Sequence, residues 1–198
     1  MYHAYMASSL SRREATHERI VEVASRAVRR NGCAGVGVAD VMKQAGLTHG
    51  GFYAHFDSRE AMLAEAVERA GRDGMAAMDQ RIEARRQARG GSALRALVEL
   101  YLSEAHLAGT EAGCVVAALG SELPRQAPAV VQTGAARVRD LIDLVRRTLA
   151  PGAPAEQAMV IAGTLVGTLQ LARALGADAQ GPAMLAAARE ALLTRYDT

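Results

Sequence analysis

"GLTHGGFYAHF", residues 46–56, decides how this chain is read. It holds three glycines, two histidines and three of the chain's seven aromatic residues. Thr48 is a natural N-cap, which predicts a short helix over about 49–55. Ahead of it, "VADVMKQA" (38–45) predicts another short helix, with Val38, Val41 and Met42 apolar and Gly46 as its stop. The segment is therefore helix, three-residue turn, helix. Phe52 and Phe56 are four apart, so they stack on one side of the second helix and read as core. Gly50 and Gly51 each cost a helix about 1 kcal/mol relative to Ala. Close approach of bare backbone to another surface is a benefit that offsets this cost. His49, Tyr53 and His55 then supply polar tips around the bare patch. All three can donate to phosphate oxygens, and His49 can also reach a base edge. The pattern predicts a helix-turn-helix whose second helix enters the DNA major groove.

Upstream, "SRRE" (11–14) is a capping-box pattern, and Ile20, Val23, Ala24, Ala27 and Val28 recur at helical spacing up to Asn31-Gly32. Downstream, "FDSRE" starts another helix, capped by Asp57 or Ser58, that runs into the eighties with Gly71 and Gly74 as weak points. The 198 residues are half hydrophobic, with few aromatics and five prolines, a composition that favours an all-α fold. The formal charge is +2, and the excess lies in residues 1–60, with eight Lys/Arg against six Asp/Glu and four of the five histidines. That permits a polyanionic partner at this end without requiring one. Cys33 and Cys114 are far apart and lack metal-ligand spacing, which suits a reducing cytoplasm. The N-terminus has no long apolar run of the signal-peptide kind. The most apolar stretch, 158–175, contains Gln170 and Arg173 and reads as a buried helix rather than a membrane span.

Residues 16–62 resemble the DNA-binding domain of the TetR family of bacterial transcriptional regulators. The matching residues are "RIVEVA" (19–24), Gly32 and "VADVMKQAGLTHGGFYAHFDSREAML" (38–63), with the family's spacing throughout. The rest of the chain resembles the family only in length and helical content. Carried over by position, the resemblance makes Thr48, His49, Gly50 and Gly51 groove-facing and makes Tyr53 and His55 contacts to the phosphate backbone. Arg59, where the family usually has Lys, becomes a phosphate contact at the start of the next helix. Gly37 departs from the pattern, since family members often place a Thr or Ser cap there that touches phosphate. The division this implies is an N-terminal arm over 1–15, a helix-turn-helix domain over 16–62 and a helical ligand-binding and dimerisation domain over 63–198. About nine helices are expected in all. Arg12 and Arg13 read either as a solvated face or as part of an arm reaching the neighbouring groove.

In the second part, Ser92 caps a helix expected to run through "SALRALVELYLSEAHLAG", and "GCVVAALGSELP" predicts a short apolar helix stopped before Pro124. A further helix spans about 127–149. Pro154 and Pro182 suit the first turns of the last two helices. From Ala158 to Leu175 the only charge is Arg173, and Gly163 and Gly167 are four apart beside Thr164 and Thr168. This small-residue face reads as an intramolecular core helix or as half of a two-fold, four-helix dimer interface, and the resemblance favours the dimer. A dimer would hold two reading helices roughly 34–36 Å apart, one turn of DNA, or a multiple of it. No catalytic constellation, phosphate-binding loop, metal-ligand set or cofactor motif is present, so no enzyme is expected. Tyr101 and His106 are the candidate polar anchors for a mainly apolar small-molecule effector. On one continuous helix they lie about 140° apart, so only one, His106 by preference, points into a narrow cavity. "EAGCVVAALGSEL" (111–123) resembles a Gly-Cys-Pro-Val segment of some family members, with Val115 in place of Pro. Cys114, between uncharged flanks, reads as packing before it reads as a redox or electrophile sensor. The implied function is a dimeric repressor of double-stranded DNA, released by its effector, cytoplasmic and not membrane-bound. The alternative is a helical carrier or sensor of apolar molecules without DNA binding, which leaves the bare segment 46–56 unexplained.

Overall fold

The computed structural model describes residues 11–176 and 178–197. Of the expected N-terminal arm, residues 1–10 lie outside the described residues. Arg12–Ala15 form the first turn of a helix. Nine α-helices and two 3-10 segments, with no strand among the described residues, make an all-α fold. The α-helices are α1 Arg12–Asn31, α2 Val38–Gln44, α3 Arg59–Arg89, α4 Ala93–Tyr101, α5 Glu104–Ala108, α6 Val115–Leu119, α7 Pro128–Thr148, α8 Ala155–Leu175 and α9 Gln180–Tyr196. The 3-10 segments are His49–Ala54 and Leu123–Arg125.

The N-terminal elements are set by caps that the sequence spells out. Ser11 and Glu14 form the complete capping box of α1: the Ser11 hydroxyl accepts from Glu14 N–H, and the Glu14 carboxylate accepts from Ser11 N–H at 2.7 Å. The α2 helix ends in a Schellman turn. Leu47 N–H donates to the Met42 carbonyl at 2.8 Å and Gly46 N–H to that of Lys43 at 3.0 Å. Gly46 takes φ +72° to make this turn, a conformation that glycine adopts without strain. Ser58, not Asp57, caps α3, accepting from Ala61 N–H.

The α3 helix is continuous for 31 residues, roughly 46 Å, through Gly71 and Gly74, the expected weak points. Its first half buries Met62, Leu63, Ala66, Val67 and Ala70, and it packs against α1. Its second half packs against α7. The glycines admit close neighbours here instead of breaking the helix. The Arg137 side chain of α7 lies where a Cβ of Gly71 would stand, and the Gly113 carbonyl is 3.9 Å from that of Gly74.

The single helix expected across 92–108 is broken. Leu102 leaves helical geometry at ψ 38°, and Ser103 becomes the N-cap of α5. The Ser103 hydroxyl accepts from His106 N–H at 3.1 Å and donates to the Leu100 carbonyl at 2.8 Å, offering the backbone a local alternative to the helix ladder. The freed Tyr101 carbonyl lies 2.8 Å from His106 Nδ1.

The α8 and α9 helices pack on each other, with α8 also against α6 and α7. On α8, Ala158, Ile161, Ala162, Leu165, Leu169 and Ala172 are buried at helical spacing. The contact with α9 depends on Gly181. A Cβ there would come within 2.9 Å of the Ala172 carbonyl and 2.8 Å of the Gly176 carbonyl, closer than such atoms normally approach. Gly181→Ala is expected to lower stability by about 1–3 kcal/mol through overpacking. Urea denaturation followed by circular dichroism measures this, and Ala183, exposed on the same helix, provides the control site in Ala183→Ser.

Candidate nucleic-acid interface

The segment 46–56 folds as a 3-10 helix over His49–Ala54 rather than a regular α-helix. It is held from beneath by Phe52 and Phe56, 1% and 3% exposed, whose rings stack at 5.4 Å between centroids. The His17 ring of α1 stacks on Phe56 at 4.5 Å, and its Nε2 is paired with Glu65 of α3 at 2.6 Å. Arg13 at the start of α1 donates to the Ala54 carbonyl at 2.8 Å. Helices α1, α2 and α3 thus grip one side of the segment, and its other side is free.

That free side carries most of the expected contacts. Thr48, His49 and Gly50 are exposed, and Tyr53 is 72% exposed with its ring edge against Phe52 at 5.3 Å. Thr48 occupies the N-cap position, but its hydroxyl makes no capping hydrogen bond and stays available. Gly50 has nothing within 4 Å of where a Cβ would stand, and at Gly51 the nearest atom, Met42 Cε, is an ordinary 3.6 Å away. Neither glycine takes a positive φ. Among the described residues the protein's packing therefore accommodates a side chain at either position, and no internal contact accounts for the two glycines. His55 is half-buried, near Arg13 and His17. Burial, then the nearness of His17 and Arg13, lowers its pKa from the ordinary value, and its Nδ1 has no partner among the described residues. Lys43, exposed in the last turn of α2 and in no ion pair among the described residues, carries no sequence signal that singles it out.

Arg59 has partners within the chain. Its Nε donates to the Val36 carbonyl at 3.0 Å and its Nη2 to that of Cys33. The guanidinium closes the α1–α2 connection from the first residue of α3, and its Nη1, outside these two bonds, lies 3.7 Å from the Glu60 carboxylate. Gly37 caps α2 through its backbone alone. Cys33 N–H donates to the Glu122 carboxylate at 2.9 Å, across 89 residues of sequence, which ties the same connection to the far part of the chain. Sequence reading misses Glu122, because no local pattern marks a contact at that separation.

The second feature is a cavity of about 60 Å³ between α3, α7 and the 101–116 region. Met75, Met78, Leu141 and Leu144 line it, together with Tyr101, His106 and Cys114. Tyr101 and His106 both face it, because the chain break at Leu102 removes the angular restriction of a continuous helix; their rings meet edge-on at 4.8 Å. His106 is not a free anchor, contrary to the preference drawn from its helical position. Its Nδ1 is 2.8 Å from the Tyr101 carbonyl, and its Nε2 accepts from Cys114 N–H at 3.0 Å. Those partners require the neutral Nδ1–H tautomer. The Tyr101 hydroxyl, in a residue 1% exposed, has no partner. Cys114 is half-buried against the core at the start of α6. Among the described residues no group of His, Cys, Asp and Glu is placed to hold a metal ion.

The bare helix held on a three-helix scaffold defines a helix-turn-helix domain of the kind that transcription regulators use. Residues 20–66 match the family model described as bacterial regulatory proteins, tetR family. This N-terminal domain is thus similar to that of the tetR family, and the whole chain has the TetR-type fold. A TetR-family transcriptional regulator from Agrobacterium tumefaciens superposes with a TM-score of 0.71 at 22% identity, over 94% of this chain and 100% of that one. A TetR regulator from Chloroflexus aurantiacus gives 0.75 at 23%, over 93% and 96%. One from Cytophaga hutchinsonii gives 0.75 at 16%, over 96% and 99%. No curated protein matches the chain by sequence.

Burial of His106 lowers its pKa from the ordinary 6.5 to about 4. The unfolded chain therefore binds a proton between these values that the folded protein refuses. The stability due to neutral His106 is full above pH 6.5 and is lost as pH falls toward 4, by roughly 3 kcal/mol at most. Denaturant titrations across pH 7 to 4 are expected to show this slope, and His106→Gln is expected to flatten it.

Proposed function

We propose that the protein is a ligand-responsive transcription regulator, a repressor, that binds palindromic operator DNA as a homodimer in the cytoplasm. The single observation that carries the DNA reading is the bare face of the 49–54 helix. Among the described residues Gly50 and Gly51 answer no packing or backbone need, and Tyr53 stands beside them 72% exposed. In this reading Thr48, His49, Gly50 and Gly51 face the major groove, and Tyr53 and His55 donate to phosphates. Arg59 supports them from within, through the Cys33 and Val36 carbonyls.

The dimer reading rests on α8. It is long and apolar enough to cross a membrane by length and composition, yet only 33% of its most apolar window is buried. Met159, Val160, Leu171 and Leu175 are exposed there, and Gly163 and Gly167 have open space in front of them. These are four of the five exposed large hydrophobic residues among the described ones, on one helix. A second copy packed against the same face buries them and lets the two backbones approach at the glycines.

The effector reading rests on the cavity. Its wall includes Gly71 and Gly74 of α3 and Val115 and Val116 of α6. Arg59 begins α3, and Glu122 follows α6, and both bond to the α1–α2 connection. A guest that favours one setting of α3 and α6 therefore biases the position of the reading helix. It releases DNA only by binding the non-DNA conformation more tightly.

An electrophoretic shift with the duplex upstream of the protein's own gene, at two salt concentrations, tests the first claim. Tyr53→Phe is expected to fold normally and to weaken binding by about 1 kcal/mol, the typical net value of one hydrogen bond. Absence of any duplex binding, or full affinity in Tyr53→Phe combined with Thr48→Ala, removes the interface. For the second claim, sedimentation is expected to give a dimer at micromolar concentration and a monomer for Gly167→Leu. A monomeric wild type ends the two-headed mechanism.

A further inference from the structure

Two hydrogen-bond donors in the wall of the cavity are left without partners. They are the Tyr101 hydroxyl, in a residue 1% exposed, and Arg137 Nε. Buried donors almost always find an acceptor, because leaving one unpaired forfeits its hydration without return. Both belong to residues that line the same cavity beside α3. Gly71 fronts the aliphatic part of Arg137, and Gly74, one helical turn on, fronts the Gly113 carbonyl, with Cys114 and His106 beside it. One turn of α3 advances about 5 Å. The wall group beside the Tyr101 hydroxyl is the Cys114 thiol, a weak acceptor. His106 Nε2 already accepts from Cys114 N–H, and no Asp or Glu lines the cavity.

The charges around the site have one sign on balance. Arg81 lines the cavity and makes no ion pair among the described residues. Arg173 stands behind His106, with its guanidinium on the His106 and Leu107 carbonyls and no carboxylate partner among the described residues. Arg137 is paired through Nη1 with Glu68 at 3.1 Å and through Nη2 with Asp140 at 3.0 Å, and both carboxylates stand outside the cavity wall. The remaining wall is apolar, from Met75 and Met78 to Leu141 and Leu144. At about 60 Å³ the cavity is well below the ~150 Å³ that encloses a benzene ring, so the guest is compact and widens the site as it enters.

We propose that the effector of this protein is a small monocarboxylate with a compact apolar body, its carboxylate taken by the Tyr101 hydroxyl and Arg137 Nε in the field of Arg81 and its body seated on the methionines and leucines. This rests on the reading of the cavity as an effector site, and narrows it from a mainly apolar molecule to an acid. Selection against neutral analogues follows from the same donors. An amide offers one acceptor where the site presents two donors and a cation, and an amine meets the cations directly.

Calorimetry of the full-length protein without DNA decides the class. The probes are isovalerate, benzoate and phenylacetate, each beside its primary amide, with benzylamine as the cationic control. At least one acid is expected to bind saturably and at least ten-fold more tightly than its amide, with no binding of benzylamine. Tyr101→Phe, which keeps the ring, and Arg81→Gln, at an exposed position, are each expected to reduce that preference several-fold while thermal melting stays cooperative. Failure of every acid to bind overturns the proposal. So does equal binding of acid and amide, or an unchanged preference in both variants. The DNA shift assay, run without probe and then with the bound acid, separates this from the regulator reading. Binding of the acid with no effect on a DNA complex overturns effector release and leaves the site standing. A DNA complex with no acid bound by the protein overturns the site and leaves the regulator standing.

Discussion

One long helix sets the constraints on everything else in this molecule. The α3 helix is shared by two packing problems, since its first half completes the core under the reading helix and its second half forms one wall of the cavity. A rigid rod of roughly 46 Å with no break cannot change its packing at one end without moving the other. Small residues make this sharing possible. Ala66 and Ala70 let α1 approach, and Gly71 makes room for the Arg137 side chain that lies across it.

A second link runs beside the rod. Glu122 accepts from Cys33 N–H while Arg59 donates to the Cys33 and Val36 carbonyls, so one connection between α1 and α2 is held from two directions. One hold comes from the start of α3 and the other from the segment after α6. Both helices contribute to the cavity wall. The connection ahead of α2 and the 49–54 helix is thereby held by parts of the chain far from it in sequence.

Much of the N-terminal architecture is legible in the sequence. The capping box at Ser11 and Glu14, the stop at Gly46, the start of α3 near Ser58 and the burial of Phe52 and Phe56 all follow from rules that act within five residues. The bare Gly50-Gly51 pair is visible there as an anomaly, and its surroundings in the fold sharpen it: nothing among the described residues needs it. The departures from expectation share another cause. Periodicity runs 92–108 together as one helix, and Ser103 breaks it by competing for backbone hydrogen bonds. The rotation that would separate Tyr101 from His106 on a continuous helix disappears with that break.

What the sequence alone determined is local. It set the helical class, most helix ends, the apolar stripe of each helix and the unusual surface of 46–56, because caps, turns and hydrophobic period are properties of neighbouring residues. Only the tertiary structure decided which polar groups are spent and which are free. Arg59 and His106 carry promising chemistry in sequence, and both are occupied by carbonyls and an amide brought to them by folding. Tyr101 and Arg137 keep a donor unpaired at the cavity, and Glu122 reaches Cys33 across 89 residues. Hydrogen-bond partners are assigned by proximity in space, and for a buried group that proximity is set by how helices pack rather than by the order of residues along the chain.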